Sequence, residues 1–243
     1  MEKSTKKRVR NVVLGMTSVA LVAGITASLT LAYLTDTDTR DNIFTNNPSI
    51  SAKLVEPGWD GDADGDGVVD TGVVESDLGK TIAGDYTVDS AIPKDPKIFN
   101  TSATAEYAAI SVEYQVKLTK DGDYTTISKA DFDEIATVNF TGSWEKMTTV
   151  GNKDYYILGT SGTPVSIAAG AKSADLFTSV TVTTDPAEPV TLTAGTLALS
   201  KEYPLPEFQI VLNGAVIDTA NESGNTDSVA DNLTTLLNGG TIS

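Results

Sequence analysis

The chain has 243 residues, with 33 acidic and 17 basic side chains and a net charge of −16 at neutral pH. It has no cysteine and no histidine, which excludes disulfides, a thiol nucleophile and histidine-based zinc sites, and removes the commonest general base. So acidic a surface repels nucleic acid and anionic lipid, whereas an apolar content of 40% is enough for a packed core.

Residues 1–32 have the pattern of an export signal: five basic residues, an apolar stretch, and small residues before an abrupt polar segment. We expect a signal peptidase to cut between Ala32 and Tyr33, so that the mature protein is secreted, at the cell surface or in an extracellular matrix. The alternative is an uncleaved anchor, since a spanning helix needs about 20 apolar residues. Cleavage removes five basic residues and one acidic residue, leaves a net charge of −20, and ends contact with the membrane.

Residues 33–45 follow the expected cut as a polar, threonine-rich arm. The arm has strand propensity and no helical period, and it has too few anchors to form a domain by itself. These anchors are Tyr33, Leu34, Ile43 and Phe44. Residues 46–243 are expected to form one domain, which begins with an alternating strand at 50–55.

An acidic, glycine-rich insertion occupies residues 56–80. Within it, Asp62, Asp64, Asp66 and Asp70 stand at positions 1, 3, 5 and 9 of a D-x-D-x-D-G loop, and Gly67 stands at position 6. This spacing is typical of calcium loops, because alternate carboxylates of a tight loop converge on one point. We predict a Ca²⁺ site formed by these four carboxylates and the carbonyl of Val68.

The calcium motif is incomplete at position 12, where Val73 replaces the usual acidic ligand. Glu75 or Asp77 would substitute for it in a longer loop, and Asp60 would do so from the other side. The alternative interpretation is a solvated acidic loop without a fixed ion.

The rest of the chain alternates short strands with turns. The clearest strand covers 108–118, where apolar residues occupy every second position. Serine caps predict two short helices, at 129–135 and 228–237. We therefore predict an all-β fold, an antiparallel β-sandwich of jelly-roll type with short peripheral helices. Further strands are predicted at 137–141, 144–150, 154–158, 164–168, 176–183, 190–199 and 206–212.

Three blocks resemble the TasA/camelysin family of exported biofilm-matrix fibre proteins. The block AYLTDTDTRDNIFT, which starts at Ala32, is similar to the family's cleavage-site segment, with Leu34 where phenylalanine is usual. The block KDPKIFNT, which starts at Lys94, resembles the segment before the family's best-marked strand, although residues 102–105 depart from the pattern. Residues 207–212, followed by residues 215–217, resemble the closing strand.

The resemblance implies a signal peptidase of SipW type and a head-to-tail homopolymer, in which each subunit donates its arm to the next. From the residues alone, the arm could instead fold back as an edge strand of its own chain. Camelysin-type relatives are classed as metallopeptidases, but a chain without histidine cannot form their zinc site, and we expect no enzyme. The second candidate is a monomeric secreted binding module stabilised by calcium.

Overall fold

In the computed structural model, the structure describes residues 50–84, 88–183, 189–199, 206–220 and 228–240. The predicted signal peptide (1–32), its cleavage point at Ala32 and Tyr33, and the arm at 33–45 lie outside the described residues. None of the helices in the described ranges has the length and apolarity that crossing a bilayer requires.

The described chain consists mainly of antiparallel strands with few helices, in agreement with the predicted all-β class. The helices are α1 (Pro57–Asp60), α2 (Gly79–Ala83), α3 (Lys129–Asp133) and α4 (Val229–Leu237), and a 3₁₀ turn spans Glu75–Asp77. The strands are β1 (Ala52–Val55), β2 (Ala91–Pro93), β3 (Lys97–Asn100), β4 (Glu106–Lys117), β5 (Tyr124–Ile127), β6 (Ala136–Phe140), β7 (Trp144–Val150), β8 (Lys153–Thr160), β9 (Thr163–Pro164), β10 (Ser166–Ile167), β11 (Phe177–Val182), β12 (Val190–Leu192), β13 (Gly195–Leu197) and β14 (Phe208–Asp218).

Strand β4 is the centre of the largest sheet, which has seven strands and curls into a half-barrel. One side of β4 pairs with β14 along its length. The other side pairs in turn with β10, β8 and β5, and β8 pairs in addition with β7 and, at its end, with β9. A three-stranded sheet has the order β2-β11-β6, and two further pairs are β1-β3 and β12-β13.

The main core lies against the face of β4 that the alternation predicts. Ala108, Ile110, Val112, Tyr114 and Val116 have no exposed surface, and they pack with side chains from both larger sheets. Phe132, from α3, lies 4.8 Å from the ring of Tyr114 between ring centroids. An aromatic residue in this position removes a large apolar area from water, which is the main term that stabilises such a fold.

The opposite face of β4 is also buried in its first half, which strict alternation does not predict. Helix α4 covers it, with Leu233 and Leu236 packed against Ala109 and Ile217. Ser228 caps this helix by accepting a hydrogen bond from the Asp231 N–H at 3.2 Å, as predicted. The amphipathic helix and the apolar patch on the sheet therefore cover each other.

Several predicted boundaries are wrong in detail. The predicted strand at 190–199 is a hairpin, because the chain turns before Gly195, which has a φ of 146° that favours glycine. The predicted strand at 164–168 is two short pieces at either side of Val165. The strand predicted at 206–212 begins at Phe208 and continues unbroken through residues 215–217 to Asp218, because β4 supplies a partner for every residue. Helix α3 has its predicted serine cap but ends at Asp133.

Candidate cation-binding loop

The acidic insertion begins directly after β1 and contains short regular elements. Pro57 occupies the first turn of α1, where the missing N–H of proline costs nothing. Trp59 is buried, and Gly61 ends the helix in the left-handed region with a φ of 80°. From Asp62 the chain forms a tight loop, and it returns to the body through the 3₁₀ turn and α2.

Three of the predicted ligands lie together. Carboxylate oxygens of Asp62, Asp64 and Asp66 are all within 4.8 Å of one another, which is a spacing that could hold a metal ion. Asp62 is buried, whereas Asp64 and Asp66 are exposed. Gly67 has a φ of 87°, so the turn that brings these residues together needs a glycine at this position.

Asp62 organises the loop through backbone hydrogen bonds. Its Oδ1 accepts from the N–H groups of Gly65 at 2.7 Å and Asp66 at 3.1 Å, and its Oδ2 accepts from Gly67 at 2.6 Å. Burial alone would raise the pKa of Asp62, but these hydrogen bonds outweigh it and hold the pKa below its ordinary value. Asp62 is therefore charged at neutral pH.

Asp70 has another place in the loop than the sequence predicts, whereas the role of the Val68 carbonyl as a ligand stays a prediction. Asp70 is not in the carboxylate group; its Oδ2 accepts the N–H of Ala63 at 2.8 Å, and its own N–H donates to Gly61, which closes the loop. The Val68 N–H donates to Asp66, and the Val68 side chain is 64% exposed. The possible replacements for the missing ligand, Asp60, Glu75 and Asp77, are also outside the group.

The loop is held against the body by Lys53. Its ammonium group donates to the carbonyl oxygens of Asp64 and Gly65, each at 2.9 Å. The Lys53 ammonium therefore fixes this part of the loop backbone through its carbonyl groups. The sequence pattern gives no sign of this contact, because it depends on the path of the loop beside β1.

The KDP block forms the base of the loop. The Lys94 ammonium is buried, lies 2.5 Å from an oxygen of Glu56 and stands 4.3 Å from the Trp59 ring centroid. Asp95 accepts the Gly58 N–H at 2.5 Å. The KDP block therefore fixes the start of the acidic insertion. The sequence did not predict this contact, because Lys94 and Glu56 lie 38 positions apart.

A cleft of about 380 Å³ lies elsewhere, between α3 and the β7–β8 hairpin. Its charged lining residues form ion pairs: Lys129 with Asp133 at 2.5 Å, and Lys146 with Asp154 at 2.8 Å.

A scan against protein-family models found no match, and searches of curated proteins and of solved structures found none either. The fold and the loop together define an antiparallel β protein with an acidic loop in which three carboxylates could hold a metal ion.

Proposed function

We propose that this protein is a structural subunit of an extracellular fibre of the TasA/camelysin kind. The observation that carries the proposal is the open seven-stranded sheet. Within the described ranges its outer strands, β7 and β14, do not pair with each other, so these ranges by themselves leave the half-barrel open. An open sheet presents backbone donors and acceptors at its edge, which is where an added strand binds.

The arm at residues 33–45 supplies the strand. Donation to a neighbour is heterologous, so it propagates head to tail into a filament and does not close into a dimer. Main-chain hydrogen bonds would give affinity, and pockets for Ile43 and Phe44 would fix the register. Before a SipW-type peptidase cuts between Ala32 and Tyr33, the tethered arm cannot reach a neighbour, so cleavage starts assembly.

The two outer strands are not equal as acceptors. Strand β7 has a register shift between Lys146 and Thr148, and it carries the charged pair Glu145 and Lys146. Bulges and charges at an edge oppose the pairing of another strand. We therefore place the arm on the β14 side of the sheet, either of the neighbouring subunit or, in the alternative, of its own chain.

The experiment compares filaments of three mature proteins by negative-stain microscopy. Deletion of residues 33–42, and separately Ile43→Asp with Phe44→Asp, should abolish filaments while the β-rich circular dichroism spectrum is kept. The matched control, Ile43→Val with Phe44→Leu, retains apolar anchors and should still assemble. Filaments that persist in both disruptive variants would end the proposal, and a mass spectrum of the mature protein tests the cut before Tyr33.

We propose a jelly-roll arrangement for the domain as the finer form of the fold. It is supported by the packing of the half-barrel against the three-stranded sheet across one core. An experimental structure of the mature chain in a filament would test this arrangement and the acceptor edge together.

The second candidate function is a monomeric secreted module, stabilised by calcium, that binds a ligand at the cell surface. The carboxylate group of Asp62, Asp64 and Asp66 favours it, because a bound ion would stiffen an exposed loop. In either case we propose Ca²⁺ as the ion, since an extracellular site made of carboxylates suits a hard cation. A cleaved protein that remains monomeric at all concentrations would favour this candidate over the fibre.

A further inference from the structure

Two buried carboxyl groups face each other at one end of the β4–β14 pair. Glu106, the first residue of β4, is directly opposite Asp218, the last residue of β14. Glu106 has no exposed surface, and Asp218 is 4% exposed. Side chains directly opposite in an antiparallel pair have Cβ atoms about 5 Å apart, so the two acids are neighbours inside the protein.

The hydrogen bonds of the pair leave one oxygen without a partner. Glu106 Oε1 accepts the Ser51 N–H at 3.2 Å, while Glu106 Oε2 is buried and has no hydrogen-bond partner in the described part of the chain. Asp218 Oδ1 accepts the Ala220 N–H at 2.8 Å, and its Oδ2 accepts from the Thr104 hydroxyl at 3.2 Å. Asp218 thus uses both oxygens as acceptors, and Glu106 uses one.

No positive charge balances these acids among the described residues. Neither forms an ion pair with lysine or arginine there. The residues next to the two acids are uncharged: Ser51, Ile167 and Ser102 beside Glu106, and Thr104 beside Asp218. Asp218 is the titratable group that faces Glu106. Two ionised carboxylates without a partner are strongly unfavourable in a buried site, and a single proton between them removes the conflict.

We infer that Glu106, buried opposite Asp218, keeps a proton at pH values where an exposed glutamate is ionised, and that this proton governs how firmly the chain is held at Ser51. Ser51 follows the predicted arm at residues 33–45 closely in the sequence, so it lies at the root of the segment that leads back to the arm. Its N–H is bound to Glu106, and its carbonyl accepts the Thr101 N–H at 2.9 Å. Of these steps, only the connection from Ser51 to the arm rests on the proposed function.

The direction of the pH effect follows from the site. Burial raises the pKa of Glu106 above its ordinary value of 4.5, and the charge of Asp218 raises it further. The native state therefore keeps a proton that the unfolded chain loses, so this contribution to stability is full below pH 4.5 and is lost as pH rises through the raised pKa. The Ser51 N–H lowers the pKa of Glu106 but does not offset burial, so opening of the segment at Ser51, which lets water reach Glu106, becomes more favourable as pH rises from 4.5 to the raised pKa.

The test is made on the full mature chain with Ile43→Asp and Phe44→Asp, so that it remains monomeric. The ¹³C shift of the Glu106 side-chain carboxyl is followed against pH, and the exchange rate of the Ser51 amide is measured at each pH. The reference variant adds Glu106→Gln, which stays neutral and can still accept from Ser51. Comparing the two proteins at the same pH cancels the intrinsic pH dependence of exchange.

We expect Glu106 to titrate above 4.5, and the two proteins to exchange Ser51 equally below pH 4.5. Between pH 4.5 and the pKa of Glu106, the protein with Glu106 should exchange Ser51 about tenfold faster for each pH unit, and the difference should level off above that pKa, whereas the Gln variant should remain protected. Asp218→Asn should move the titration of Glu106 downward, and this variant serves if Glu106→Gln does not fold. A Glu106 that titrates at or below 4.5, or equal exchange at every pH, overturns the inference. Because these monomers do not assemble, the result is independent of whether the wild-type protein forms filaments.

Discussion

Calcium should stabilise the native protein by an amount that the loop geometry sets. A bound ion would offset the mutual repulsion of three carboxylates that lie within 4.8 Å of one another. Because the ligand at position 12 is missing, we expect a dissociation constant of about 10⁻⁴–10⁻³ M, as in extracellular modules. At 10 mM Ca²⁺, binding to the native state alone adds roughly 1.4–2.7 kcal/mol. For a domain of about 200 residues this raises the melting temperature by roughly 3–10 °C.

The assay is thermal unfolding of the mature protein at increasing Ca²⁺, with Na⁺ at equal ionic strength as the salt control. Asp64→Asn and Asp66→Asn should each remove most of the shift, because each takes a charge from the carboxylate group. Asp121→Asn, an exposed acid in the β4–β5 turn, changes the net charge equally and should keep the full shift.

A variant of Asp70 distinguishes the structure of the loop, in which Asp70 holds the backbone, from the sequence motif, in which Asp70 is a metal ligand. In the structure it closes the backbone at Ala63 and lies outside the carboxylate group, so Asp70→Asn should retain most of the calcium shift while lowering stability without the ion. If Asp70→Asn abolished the shift while Asp64→Asn and Asp66→Asn kept it, the geometric reasoning would be refuted. Calorimetry that shows no binding at millimolar Ca²⁺ would refute the site as a whole.

Three further predictions concern the body of the domain. Phe132→Ala should cost about 3–5 kcal/mol in urea unfolding, because it leaves a cavity beneath Tyr114 in a core without exposure. Gly79→Ala should lower the free energy of unfolding by about 1–3 kcal/mol, because its Cβ would lie 2.0 Å from the Pro93 carbonyl oxygen. Gly142→Ala, whose Cβ would have no atom within 4 Å, should be nearly neutral. Equal effects of the two substitutions would contradict this packing. Burial alone would raise the pKa of Asp131, but hydrogen bonds lower it below its ordinary value. The stability that charged Asp131 contributes above pH 3.8 should therefore be lost as pH falls. Asp131→Asn should make the melting temperature less dependent on pH in this acid range.

Local signals in the sequence determined the pieces of this protein. Alternation marked the buried face of β4, because side chains on a strand point to opposite sides every second residue. Serine caps located α3 and α4, since a capping hydroxyl acts on an N–H only three residues away. The D-x-D-x-D-G spacing likewise brought Asp62, Asp64 and Asp66 together, because a tight loop is a local structure.

Tertiary structure decided what lies far apart in the chain. The burial of both faces of β4 depends on α4, which lies more than 100 residues later and packs across the sheet. Two contacts arise from the path of the chain and the register of the strands: Lys94 with Glu56, and Glu106 with Asp218. Composition does not predict either of them. Asp70 shows the same limit at short range: its spacing suits a ligand, but the closed backbone of the loop turns its carboxylate to Ala63. Local backbone structure is determined by neighbouring residues, whereas the partners of buried charges are determined only when the sheets assemble around one core.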